Sequence, residues 1–178
     1  MTVFKAMNPN AEAFGANIIG MIEAMGAFKK RAYDILNDCG IENPKPDQWY
    51  NMQQWLNAFK IIYEKLGDSV LKVIGKKIPE KAKLPPNIKT NDDFLPMMDQ
   101  AYHMNHRGGD VGNYIIKKIR DKEVIVTCTN PYPCAFEHGL LQGFVEKFRA
   151  PGGLPSVVHE PGDCRMEGAE VCKYHIKW

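Results

Sequence analysis

The residues best suited to chemistry are cysteines gathered near the end of the chain. Four of the five cysteines lie within the last 51 residues, and Cys39 stands apart. Cys134 is predicted at a helix start, where a thiol loses its proton more readily. The step from Cys164 to Cys172 contains Gly168 and can close a loop that brings both thiolates to one ion. Because zinc prefers four nitrogen or sulfur ligands, Cys134, Cys164 and Cys172 predict the core of a structural zinc site.

The fourth ligand has several candidates. His159 is favoured, with Glu160 next, and His138 and Cys128 are further alternatives. An odd number of cysteines in a chain without a recognisable export signal argues against a disulfide framework. Buried free thiols and a redox pair remain alternatives to metal binding.

The elements that position these side chains change in character along the chain. Helical spacing of apolar residues predicts three N-terminal helices, and Ile, Val, Tyr and Thr enrichment then predicts a β-β-α-β-β unit with a small antiparallel sheet. The fold class is therefore α+β. The predicted helices cover 10–39, in which Gly26 is a candidate break, about 52–78 and 94–106. The later elements are strands 113–119 and 122–129, helix 136–148 and strands 156–160 and 172–178.

Composition limits the classes of function. With 178 residues, 44% of them hydrophobic, the chain is predicted to form a single domain over 1–178. A formal net charge of +2 gives no support for nucleic-acid binding. No apolar run of 18 residues predicts membrane insertion, and the N-terminal segment lacks the features of a secretory signal, so we expect a cytoplasmic protein.

Two histidines form a second candidate site. His103 and His106 lie three residues apart near a predicted helix end and could bind haem or a metal, or act as acid and base. The alternative is that they only satisfy carbonyl groups at the helix terminus. Glu137 is predicted on an exposed face of the fourth helix, where it would be solvated.

An apolar layer between sheet and helices is the third candidate. Such flexible and aromatic walls either fill a core or surround a ligand cavity. The residues predicted to line a pocket for a small apolar or aromatic molecule are Met98, Tyr102, His103, His106, Phe136, Leu140, Phe144 and Tyr174.

The segment NPYPCAFEHGLLQGF, followed by HEPGDCRMEGAEVCKYHIKW, resembles the 4-vinyl-reductase domain family over residues 90–178. That family is similar to sensor domains of aromatic-catabolism regulators, and more distantly to the haem nitric-oxide-binding domain and TRAPP subunits. In the aromatic sensors a matching cysteine trio and an acidic residue bind zinc, which the resemblance transfers to Cys134, Cys164 and Cys172. Residues 1–85 match less clearly and are compatible with dimerising helices.

Three hypotheses follow. The first is a homodimeric sensory or regulatory domain that binds an apolar ligand beside structural zinc, without catalysis. The second is a haem-based gas sensor that uses His103 or His106. The third is an enzyme of tetrapyrrole vinyl reduction, for which no reductant site is recognisable in the sequence.

Overall fold

The computed structural model describes residues 3–81, 84 and 87–178. It confirms the α+β class. The helices are α1 Gly15–Ala24, α2 Lys29–Asp38, α3 Met52–Leu66, α4 Asp68–Lys81, α5 Asn91–Phe94, α6 Met98–Met104 and α7 Cys134–Lys147. The strands are β1 Glu12–Phe14, β2 Trp49–Asn51, β3 His106–Arg107, β4 Tyr114–Arg120, β5 Glu123–Cys128, β6 Ser156–His159 and β7 Cys172–Lys177.

Glycines divide the long helices that the apolar spacing predicted. Gly26 has a φ of +55° and separates α1 from α2, and Gly67, with a φ of +81°, separates α3 from α4. These backbone angles favour glycine and interrupt a right-handed helix. The prediction that helix 52–78 stops before Pro79 was wrong, because α4 contains Pro79 and continues to Lys81.

The third predicted helix, 94–106, is divided in two, and the helical stretch begins three residues earlier and ends two residues earlier than expected. Its first turn is capped by Thr90, whose Oγ1 accepts from the Asp93 N–H at 3.2 Å. Asp93 accepts in return from the Thr90 N–H, so the pair forms a capping box. A 3₁₀ turn at Leu95–Met97 then joins α5 to α6.

The predicted β-β-α-β-β unit is confirmed as an antiparallel sheet in the order β4-β5-β7-β6. In its central pair Cys128 lies opposite Cys172, and both point to the buried face that carries α7. A second sheet, in the order β2-β1-β3, was not predicted. Its strands have two or three residues each, too few to show an alternating pattern.

Close packing of α4 on α7 depends on glycine. A Cβ at Gly139 would lie 2.0 Å from the Lys72 carbonyl oxygen, and one at Gly143 would lie 2.3 Å from that of Lys76. From the opposite side, a Cβ at Gly75 would lie 2.2 Å from the Phe136 carbonyl oxygen. Larger side chains would therefore separate the helices, and α7 is held tightly between α4 and the sheet.

The apolar stripes of the N-terminal helices are buried within the chain's own core. Ile18, Leu36, Trp55 and Phe59 are each at most 2% exposed. The N-terminal helices, which the resemblance made compatible with dimerisation, thus bury these stripes in the chain's own core, and a homodimer stays a prediction. Among the helices described, none has the length and apolarity to span a membrane.

Candidate metal centre and apolar cavity

Four side chains that the sequence singled out meet beside the larger sheet. Candidate ligand atoms of Cys134, His159, Cys164 and Cys172 lie within 4.8 Å of one another. The Cys134 and Cys172 sulfurs are 3.0 Å apart, and the Cys164 and Cys134 sulfurs are 3.5 Å apart. The start of α7, the end of β6, the following loop and the start of β7 thus converge on one point. We call these four residues the thiol cluster.

The geometry of the thiol cluster is compatible with a tetrahedral ion. His159 Nε2 is 3.1 Å from the Asp163 carbonyl oxygen, so a proton on Nε2 leaves Nδ1 as the donor to a metal. The histidine ring stacks on Tyr174 with centroids 4.7 Å apart, which fixes its plane. Zinc–sulfur bonds of about 2.3 Å place tetrahedral sulfurs about 3.8 Å apart, so metal binding requires the sulfurs to separate by less than about 1 Å.

The other candidate ligands lie outside this cluster. Cys128 is fully buried, and its sulfur is 3.9 Å from Glu137 Oε2. His138 Nε2 is 3.0 Å from the Val157 carbonyl oxygen. The backbone N–H of Glu160 donates to the Lys173 carbonyl oxygen. The carboxylate of Glu160 is not among the converging ligand atoms.

Arg165, which was not predicted from the sequence, donates hydrogen bonds to a sulfur of the thiol cluster. Its backbone N–H and its Nε–H both lie 3.3 Å from Cys172 Sγ, and Nη2 donates to the Tyr132 carbonyl oxygen at 3.1 Å. Donation from the Cys134 thiol lowers the pKa of Cys172 and raises that of Cys134, and the Arg165 N–H groups also lower the pKa of Cys172. The position of Arg165 directly after Cys164 is the feature of the sequence that could have indicated this role.

Glu137 is fully buried, so the prediction of a solvated carboxylate was wrong. The helix face that was expected to be exposed is covered, because α7 lies between α4 and the sheet. Glu137 Oε2 accepts from the Tyr114 hydroxyl at 2.6 Å, and desolvation raises the pKa of Glu137 to about 7. Within the described part of the chain, Glu137 Oε1, Asn130 Nδ2 and Arg165 Nη1 are buried without hydrogen-bond partners.

A cavity of about 830 Å³ lies on the other side of α7, bounded by α1 and α6. Its wall is mainly aromatic and aliphatic, with methionines from α1 and α6. The lining includes Met21, Trp55, Phe94, Met97, Met98, Tyr102, His106, Tyr114, Tyr132, Phe136, Leu140 and Phe144.

Polar groups at the wall of the cavity form a chain of hydrogen bonds in which each donor and acceptor can be assigned. His106 Nδ1 donates to the Tyr102 carbonyl oxygen at 2.8 Å, so Nε2 is the acceptor for the Tyr132 hydroxyl at 2.7 Å. Trp55 Nε1 donates to the same hydroxyl at 3.0 Å. Desolvation lowers the pKa of His106 to about 4, so this histidine is neutral near pH 7.

Six of the eight residues predicted to line a pocket face this cavity, namely Met98, Tyr102, His106, Phe136, Leu140 and Phe144. His103 lies outside the lining and contacts Asn113 Oδ1 at 3.1 Å through Nε2. Tyr174 belongs to the thiol cluster side, where its hydroxyl donates to the Cys134 carbonyl oxygen at 2.8 Å.

A second, smaller cleft of about 430 Å³ adjoins the thiol cluster. Its lining includes Cys134, His159 and Cys164, together with Asp68 and Lys72 of α4. Cys164 and His159 are also partly exposed. The cluster therefore has an approach from outside the core.

An α+β domain with an apolar cavity and a cluster of metal-ligand side chains is the class that these observations define. No family model matches the chain, and no curated protein does. Solved structures with the same fold include H-NOX proteins. One from S. oneidensis, in the Fe(II)NO state, has a TM-score of 0.67 at 13% identity and covers 91% of this chain and 97% of its own.

Two further H-NOX structures have the same fold as this chain. An oxygen-binding H-NOX domain related to soluble guanylate cyclases has a TM-score of 0.63 at 19% identity, covering 92% of this chain and 91% of its own. An unliganded Fe(II) H-NOX protein from K. algicida has a TM-score of 0.63 at 10% identity, covering 92% and 95%. The chain therefore has the H-NOX fold. The distant resemblance to haem nitric-oxide-binding domains is confirmed at this level, whereas the nearer resemblance to 4-vinyl-reductase domains gains no support.

Proposed function

We propose that this chain is a sensory domain that binds a small apolar molecule in the cavity between α1, α6 and α7. The observation that carries the proposal is the cavity itself, whose volume of about 830 Å³ lies in the usual range for small-molecule sites. Its aromatic and methionine walls suit an apolar, partly planar ligand. The H-NOX fold supports a sensory role because the structures that share it include ligand-binding domains.

The polar groups of the wall favour a ligand with little hydrogen-bonding demand. Tyr132 donates to His106 and accepts from Trp55, so its hydroxyl is already used in both directions. His106 has both ring nitrogens engaged. A neutral aromatic molecule gains from apolar burial here without breaking these bonds.

A fluorescence titration with N-phenyl-1-naphthylamine, a neutral aromatic probe, tests the proposal. Leu140→Trp adds bulk to the cavity wall and should weaken probe binding at least about tenfold, or about 1.4 kcal/mol. The control Leu154→Trp makes the same change at a side chain that is 91% exposed and should leave affinity unchanged. Equal binding by the two variants would place the probe elsewhere and reject the cavity.

The thiol cluster supports a second part of the proposal, a zinc ion held by Cys134, Cys164, Cys172 and His159. Three thiolates and one imidazole form a complete tetrahedral set, typical of a structural ion. Metal analysis of the purified chain should give one zinc per chain. Zinc-free protein whose thiols all react in the native state would reject this part.

A haem-based gas sensor is the second candidate function, favoured by the likeness to H-NOX structures solved in Fe(II)NO and oxygen-bound states. The cavity is large enough for a porphyrin. The donor set fits poorly, because iron would have to bind His106 at Nε2 and displace the Tyr132 hydroxyl that donates there. The lining residues that the structure describes include no Lys or Arg that would pair with the anionic propionates of haem.

Absorbance after incubation with haem separates the two candidates. The apolar-ligand proposal predicts no Soret shift beyond free haem and no competition with the naphthylamine probe. A sharp Soret band that disappears in His106→Phe, but persists in His103→Phe, would replace that proposal by the haem sensor. The enzyme hypothesis of vinyl reduction stays a prediction.

A further inference from the structure

The thiol cluster and the cavity share a short stretch of polypeptide. Cys134 begins α7, and Phe136 lines the cavity two residues later. Tyr132, two residues before Cys134, supplies the hydroxyl that bonds His106 and Trp55 at the cavity wall. A shift of Cys134 therefore acts on cavity residues on both of its sides.

Arg165 makes a second connection between the two sites. It is 4% exposed, and it contacts a sulfur of the cluster through two N–H groups while Nη2 donates to the backbone carbonyl of Tyr132. One buried guanidinium thus holds Cys172 and Tyr132 in a fixed relation. The remaining nitrogen, Nη1, is buried without a partner among the described residues.

The state of the metal changes the positions of the atoms that these connections hold. The Cys134 and Cys172 sulfurs are 3.0 Å apart, whereas two sulfurs on one zinc ion lie about 3.8 Å apart. Loading therefore moves the sulfurs apart by several tenths of an ångström. The adjoining cleft gives a metal ion an approach to Cys134, Cys164 and His159.

We propose that the thiol cluster is a second sensory input, at which reversible binding of a thiophilic divalent metal ion changes the affinity of the cavity for its apolar ligand. The inference rests on the proposed function, since it needs both a metal and a cavity ligand. The new element is that binding at one of the two sites changes the affinity of the other. Thermodynamic linkage requires that the ligand change metal affinity by the same factor.

Two titrations test the coupling in both directions. The affinity for N-phenyl-1-naphthylamine is measured with zinc-loaded chain and with chain treated with a chelator and kept reduced. Zinc affinity is then measured by chelator competition with and without the probe. Coupling predicts a change of at least about fivefold in each experiment, with the two factors equal.

Variants locate the path of the coupling. Tyr132→Phe removes the hydroxyl and keeps the carbonyl that Arg165 contacts, whereas Arg165→Gln removes the guanidinium contacts to both sites. In each variant the coupling factor, which is the ratio of probe affinities with and without zinc measured in that same variant, should fall toward one, whatever the change in either affinity alone. If Arg165→Gln does not fold, Tyr132→Phe alone carries this comparison, and the wild-type titrations remain decisive.

The possible results distinguish a failure of the coupling from a failure of zinc binding or of probe binding. Zinc and probe that both bind, each without effect on the other, overturn the coupling and leave the proposed function intact. Native mass spectra without zinc reject the metal part, and an absence of probe binding by zinc-loaded and zinc-free chain rejects the cavity part. Either of the last two results also overturns the coupling.

Discussion

Replacing Gly139 by alanine tests the tight contact on which both sites depend. The new Cβ would lie 2.0 Å from the Lys72 carbonyl oxygen and 2.8 Å from its carbonyl carbon. Because Cβ contacts under 3.0 Å are essentially never seen, α4 must retreat by at least 1.0 Å, the difference between 3.0 and 2.0 Å. The movement separates α4 from α7, the two helices that line the cleft beside the thiol cluster.

The expected cost follows from two opposing effects. Overpacking of this kind costs about 3 kcal/mol, at the upper end of the usual range, because the clash is with backbone. Alanine regains about 1 kcal/mol through its higher helix propensity. The net loss of about 2 kcal/mol should lower the melting temperature by about 4–8 °C in a chain of this size.

A matched control is available in α1. At Gly20 the nearest atom to an added Cβ is Ile78 Cδ1 at 3.5 Å, an ordinary contact. Gly20→Ala should therefore stabilise the chain by about 1 kcal/mol. Thermal unfolding followed by circular dichroism measures both variants, and a Gly139→Ala variant as stable as wild type would refute the packing argument.

Three further predictions concern buried groups. Cys172→Ser should remove the metal and lower the melting temperature, while Cys39→Ser, which changes a thiol outside the cluster, should do neither. The folded-state pKa of Glu137 is about 7 against an ordinary 4.5, so its contribution to stability is present below pH 4.5 and about 3 kcal/mol is lost as pH rises to 7. The folded-state pKa of His106 is about 4 against 6.5, so about 3 kcal/mol is lost in the opposite direction, as pH falls from 6.5 to 4. Urea unfolding from pH 4 to 8 should show stability rising with pH in Glu137→Gln and falling with pH in His106→Phe, and parallel curves for the two would contradict these assignments.

The sequence predicted the C-terminal half of the fold better than the N-terminal half. The β-β-α-β-β unit has clear changes of periodicity and turn signals, and it is present as predicted. The second N-terminal helix was predicted too long because apolar spacing continues across Gly67, where the backbone turns left-handed, whereas the sequence had indicated Gly26 as a candidate break in the first. The small β2-β1-β3 sheet depends on pairing between distant segments, which local patterns do not reveal.

Residue types predicted the metal-ligand side chains, whose chemistry is distinctive. They did not predict which charged side chains are buried, because tertiary packing determines burial. The convergence of His159 with the three cysteines follows from the spacing of β6, its loop and β7. Burial of Glu137 does not, because its carboxylate contacts Tyr114 and Cys128 of the sheet, and the sequence of α7 gives no sign that this polar residue faces those strands. Arg165 stood next to a cysteine, but its burial depends on the fold around Tyr132.

Native mass spectrometry of the chain, purified under reducing conditions from cells supplied with a haem precursor, tests the central claim most directly. An apolar-ligand sensor with a metal at the thiol cluster predicts the mass of the chain plus one zinc ion and no haem. The same sample should gain one molecule of N-phenyl-1-naphthylamine when the probe is added. A spectrum dominated by chain carrying one haem, with no place for the probe, would contradict the account and establish the haem sensor in its place.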